Sequence, residues 1–193
     1  MAVRERRDPL TRLGVALALI GAVLLVAFAR SSREAGGTIR PRYGVDHWDS
    51  AYGVYICRSF IPPLVDIGEE RGIHTHADGA VHVHPRTREL AGENATLGKF
   101  AQQVGLTLSD GVLGLPDGRT YRDGDDCGGA PGKVQVARWS DATRTTAEPE
   151  VTTENVAEIR FRKNGEAFTI AFAPERAKLP PPETASRLPE LRE

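Results

Sequence analysis

Apolar and polar residues alternate with a period of two over several short stretches of this chain, and with a helical period over one. In "AYGVYIC", Tyr52, Val54 and Ile56 alternate against Tyr55 and Cys57, which predicts a strand. "NATLGKFAQQVG" sets Leu97, Phe100, Ala101 and Val104 at i, i+3, i+4 and i+7, with Thr96 as N-cap and Gly105 as the stop. That spacing predicts a short helix with one apolar face. "GVLGLPDGRTY" places Pro116-Asp117-Gly118 between two extended runs, a hairpin turn, and "KVQVARW" reads as a strand with Val134 and Val136 on one face. In "VAEIRFRKNGEAFTIAFA" the turn falls at Asn164-Gly165. Pairing 163 with 166 would gather Ala157, Ile159, Phe161, Phe168, Ile170 and Phe172 on one face and Glu158, Arg160, Arg162 and Thr169 on the other, the pattern of an antiparallel edge. Short strands with a single short helix predict a small α+β antiparallel-sheet domain over residues 46–175.

The first 45 residues follow a different pattern. Residues 1–12 are charged, with Arg4, Arg6, Arg7 and Arg12 against Glu5 and Asp8. Residues 13–29, "LGVALALIGAVLLVAFA", form an uncharged run without proline. As a helix this run spans about 25 Å, a little under the ~30 Å hydrocarbon core, and Arg12 and Arg30 can extend it by reaching to the headgroups. The expectation is a single-pass anchor in the lipid bilayer; a cleaved signal peptide, ending at "AFA", is the competing reading. Residues 30–45 lack apolar periodicity and read as a linker, and residues 176–193 as a proline-rich, irregular tail. Under either reading of the apolar run, the domain is expected outside the cytoplasm, at the cell membrane.

Composition narrows the partners. The 193 residues carry a net charge of −1, with no basic face of the kind a nucleic-acid partner would require. Cys57 and Cys127, 70 positions apart and in no paired CxxC motif, predict a disulfide in an exported chain. That bridge would tie the first strand to the loop "GDDCGGAPGK", which lacks the glycine and the Ser/Thr of a phosphate-binding loop.

Four of the five histidines fall within "GIHTHADGAVHVHP". Period-two spacing puts His74 and His76 on one face of a strand and His82 and His84 on one face of the next. A two-residue Asp78-Gly79 turn would send the pairs to opposite faces. A three-residue loop, Ala77-Asp78-Gly79, pairs His74 with His82 and brings all four together. The second register also collects Ile73, Thr75, Val81 and Val83 on a separate dry face, whereas the first leaves neither face apolar. Neighbouring imidazoles on one face are close enough to share an ion, and neutral imidazole suits Zn, Cu and Ni. Asp46, His47 and Asp49 in "VDHWDS" are candidate auxiliary ligands.

Two enzyme patterns come close and fail. "HTHADG" resembles the opening of the polymerase and histidinol phosphatase hydrolases, which need a larger barrel and further ligands downstream. The deubiquitinase-like "HTHP" signature lacks its downstream Ser and Asp, and no Ser-His-Asp or Cys-His set is evident. Together, "DHW", "AYGVYIC", "GIHTHADGAVHVHP" and "NATLGKF" resemble a group of uncharacterised actinobacterial single-pass membrane proteins, over residues 46–140. The resemblance implies an N-terminal anchor and a small exported domain. Relatives in that group often read His-Trp-His-Ala where this chain has His47-Trp48-Asp49-Ser50, so Asp49 either substitutes as an oxygen ligand or weakens the site. The expected function is transition-metal binding or handling through the hairpin. Alternatives are a metal-free interaction module of a membrane complex and, more weakly, a metal-dependent hydrolase with Glu69 or Glu70 as base.

Overall fold

The alternation in "AYGVYIC" belongs to a nine-residue strand, β1 (Trp48–Ile56), at the middle of a seven-stranded sheet. The computed structural model describes residues 19–25, 40–67 and 72–191, in two units, Met1–Gly37 and Thr38–Glu193. In the first unit residues 19–25 are α-helical, with Leu19, Ile20, Val23, Leu24 and Leu25 exposed. Among the described residues no helix is long and apolar enough to cross a membrane; residues 13–18 and 26–29 of the expected span lie outside the described set.

In the second unit β1 is followed by β2 (Ser59–Phe60), β3 (Ile73–His74), β4 (Ala80–Val83), the helix Leu97–Gln103, β5 (Thr107–Ser109), β6 (Val112–Gly114), β7 (Thr120–Arg122), β8 (Gly132–Trp139), β9 (Glu150–Thr152) and β10 (Ala167–Pro174). The large sheet runs β3-β4-β1-β10-β8-β9, with β2 pairing the C-terminal end of β1, and β5-β6-β7 form a second sheet. The domain is therefore α+β, as the periodicity implies, but its large sheet is mixed: β1 and β10 run parallel, Ala51 opposite Ala167. The helix is capped as expected, Lys99 N donating to Thr96 Oγ1 at 3.4 Å, and Gly105 takes the left-handed φ of +71° that stops it.

The expected terminal hairpin does not form. Both edges of β10 are occupied, by β1 and by β8, so no place remains for residues 157–163. Residues 159–161 instead meet the segment before the helix: Leu97 N donates to Ile159 O at 2.8 Å, and Phe161 N to Ala95 O at 3.0 Å. The Asn164-Gly165 turn survives, with Gly165 at φ +90°, but it docks on β1. Far from being an edge with one solvated face, β10 is buried on both.

The two faces of the sheet are covered differently. One packs Trp48, Val54, Val83, Val136, Ile170 and Phe172 against Leu97 and Phe100 of the helix and Leu113 of the small sheet. The other is lined by small residues, Ala51, Ala80, Ala137, Ala167, Ala171 and Ala173. Small side chains let the proline-rich C-terminal segment lie close, and its Leu179, Ala185 and Leu188 are buried there. That segment is irregular apart from a short 3-10 stretch (Ala185–Glu190). The Cys57–Cys127 disulfide joins the end of β1 to the loop before β8, as expected, a bond of the kind that persists in non-cytoplasmic compartments.

Candidate metal centre

The histidines gather because the register of β3, β4 and β1 puts them in one row. His74 lies opposite His82, and His82 lies opposite Asp49. The odd-numbered neighbours Ile73, Val81 and Val83 point to the main core, so the row faces the other side of the sheet. Burial of the apolar face thereby fixes where the imidazoles go.

The loop between the strands is held by polar contacts. Asp78 Oδ1 accepts from Ala80 N at 2.9 Å and from Thr75 Oγ1 at 3.4 Å, closing the turn. Gly79 sits at φ +82°, where an added Cβ would lie 2.4 Å from the Thr184 side chain, while Thr184 Oγ1 donates to Gly79 O at 2.8 Å. Glycine is required there on both counts. The C-terminal segment thus braces the hairpin that carries the site.

All five histidine rings meet in one cluster. The ring centres of His74 and His76 are 5.0 Å apart, those of His76 and His82 4.8 Å, and those of His74 and His82 5.4 Å. His84 stands edge-on to His74 at 5.2 Å and stacks on His47 at 4.3 Å, their planes within 14°. His74 and His82 are 2% and 1% exposed and form the floor, whereas His76 and His47 are exposed.

Three contacts define the chemistry. His74 Nε2 and His76 Nε2 are 3.2 Å apart, one donating and the other accepting. His82 Nδ1 lies 2.9 Å from Asp49 Oδ1, and His82 Nε2 3.2 Å from Asp78 Oδ2. Carboxylates only accept, so both bonds to His82 form when the ring is doubly protonated. Burial opposes that charge, but the bond to Asp49 and the neighbouring charge of Asp78 outweigh it and hold the pKa of His82 above the ordinary imidazole value.

The auxiliary candidates separate. Asp49, 3% exposed, orients His82, and its own backbone is fixed by the 164–165 turn: Asp49 N donates to Asn164 Oδ1 at 2.9 Å and Gly165 N donates to Asp49 O at 2.8 Å. Asp46 turns its carboxylate to Arg42, 2.7 Å from Nη2, and this partner holds its pKa below the usual carboxylate range. His47 joins the cluster through its stack on His84. Glu69 and Glu70 lie outside the described residues.

The pattern of the sequence assigns Asp78 only to the turn, yet its second oxygen faces His82. The signal was present: a carboxylate at the loop apex, between two histidine pairs. Among the described residues no three His, Cys, Asp or Glu side chains already stand in the positions a bound ion would impose. Two pairs of potential donor atoms, His74 Nε2–His76 Nε2 and His82 Nε2–Asp78 Oδ2, nevertheless stand 3.2 Å apart, near the separation of about 3.3 Å between two ligands of a tetrahedral zinc shell. No protein-family model, curated protein or solved structure matches the chain.

Proposed function

We propose that this chain binds a transition-metal ion at the His74–His84 hairpin, outside the cytoplasm, while residues 13–29 hold it at the bacterial cell membrane. The observation that carries the reading is the convergence of His74, His76 and His82, with two Nε2 atoms 3.2 Å apart at the border between a buried floor and solvent. The buried His82 ring is held in one orientation by Asp49 and Asp78, beside the buried His74 ring. Asp49 on Nδ1 of His82 reproduces the arrangement in which a carboxylate fixes the tautomer of a ligating histidine. The disulfide supports an oxidising compartment, where the job would be capture or handling of metal arriving at the envelope.

The test is a titration of the full-length chain in detergent with Zn²⁺, Cu²⁺ and Ni²⁺, followed by elemental analysis after desalting. One ion per chain is expected at micromolar metal, with affinity at least tenfold weaker in His76→Ala, whose exposed side chain can be removed without touching the core. A wild-type chain that retains no metal, or a variant that binds equally well, would overturn the reading.

A further inference from the structure

We infer that the ion sits in a shell of three imidazoles and one carboxylate, Nε2 of His74, His76 and His82 with Asp78, while His84 and His47 stand outside it. This rests on the proposed metal-binding reading and assigns its donors and its metal class.

The first argument is ring spacing. An imidazole centre lies about 1.2 Å behind its nitrogen, so three rings on one tetrahedral ion at ~2.0–2.1 Å have centres about 5.2 Å apart. The three pairs among His74, His76 and His82 measure 5.0, 4.8 and 5.4 Å. His84 matches His74 at 5.2 Å but is 6.4 Å from His82. Its stack on His47 keeps the two ring planes nearly parallel, so their in-plane lone pairs run side by side instead of converging.

The second argument is which atoms are offered. Asp49 holds Nδ1 of His82, so an arriving ion would displace to solvent the proton that Nε2 shares with Asp78 and take that nitrogen as its donor. That nitrogen lies 3.2 Å from Asp78 Oδ2, as His74 Nε2 does from His76 Nε2, and both separations fit an edge of the same shell. Asp78 keeps its other oxygen on Ala80 N, so it can ligate without opening the turn. Access comes from the side of exposed His76 and the Asp78 carboxylate, whose side chain is 24% exposed.

Donor chemistry then selects the ion. The only methionine is Met1 and both cysteines are bridged, so no thiolate or thioether in the folded unit can favour Cu⁺. Three imidazoles and an oxygen suit a borderline dication such as Zn²⁺ or Co²⁺.

The test loads the full-length chain with Co²⁺ and records its visible spectrum, for wild type and for His47→Ala, His84→Gln and Asp78→Asn. The expected wild-type spectrum has the intense bands of four-coordinate cobalt. His47→Ala and His84→Gln should keep the spectrum and bind within about threefold of wild type, while Asp78→Asn should bind at least tenfold more weakly with shifted bands. Weak six-coordinate bands, loss of binding in His47→Ala, or an unchanged Asp78→Asn would overturn this donor set with metal binding itself intact. A wild type that takes up neither Co²⁺ nor Zn²⁺ would overturn both.

Discussion

Replacing Cys57 and Cys127 together by serine is expected to lower the unfolding free energy by about 4 kcal/mol, the loop-closure entropy released when a 70-residue separation is no longer cross-linked. Domains of this size are stable by only ~5–15 kcal/mol, so the loss is a large share of the whole. The bridge links the end of β1, the strand that carries Asp49, to the loop entering β8. Between its ends lie β3, β4, the helix and the entire small sheet, so every residue of the histidine hairpin sits inside the closed loop. Urea unfolding followed by fluorescence reads this directly, because Trp48 and Trp139 are 7% and 4% exposed. A midpoint unchanged between wild type and the double variant would show that the cross-link contributes nothing to this fold.

Glu166→Ala should be comparably damaging, at about 3–5 kcal/mol, the usual consequence of stranding one member of a buried ion pair. Glu166 is 0% exposed and accepts from Arg138 through both Nε and Nη2, from Arg162 N at 2.8 Å and from Lys163 N at 3.3 Å. Burial pushes its carboxyl upward in pKa, against the charge of Arg138 and the N–H of Arg162. Removing it leaves the Arg138 side chain, 11% exposed, with the solvent-side Glu150 as its remaining carboxylate among the described residues. Glu150→Ala, which deletes that 54%-exposed partner, should cost under about 1 kcal/mol. Equal and small effects of the two substitutions in the same urea assay would contradict this ranking. The Glu166 bonds also close the 162–166 turn that grips the backbone of Asp49, so the ion pair braces the candidate site as well as the core.

Several local signals agree with the structure, though the hairpin expected at Asn164-Gly165 does not form. The alternation of Ile73, Val81 and Val83 against the histidines dictates the register, since one face had to be dry, and His74 stands opposite His82 for that reason. The Thr96 cap, the Pro116–Gly118 hairpin and the cysteine pair were equally local or arithmetical signals. The partner of β10 was not. "NG" between two alternating runs announces a turn, and a turn is present, but the strand after it pairs with β1, with Ala51 meeting Ala167. Nothing within a local window encodes a parallel pairing across such a separation. The same holds for the C-terminal segment: Ala51, Ala80, Ala167 and Ala171 look like weak hydrophobes in sequence, and only the folded sheet reveals them as the bed on which Leu179 and Leu188 lie. Asp78 was hidden differently. Its role in closing the turn accounts for one oxygen and says nothing of the other, which the three-residue loop aims at His82.

Crystals of the full-length chain grown with Zn²⁺ and measured at the zinc absorption edge would test the metal centre most directly. The predicted result is one anomalous peak per chain, about 2.0–2.1 Å from Nε2 of both His74 and His76. A map with no peak at the hairpin, or with zinc only on surface carboxylates elsewhere, would contradict it.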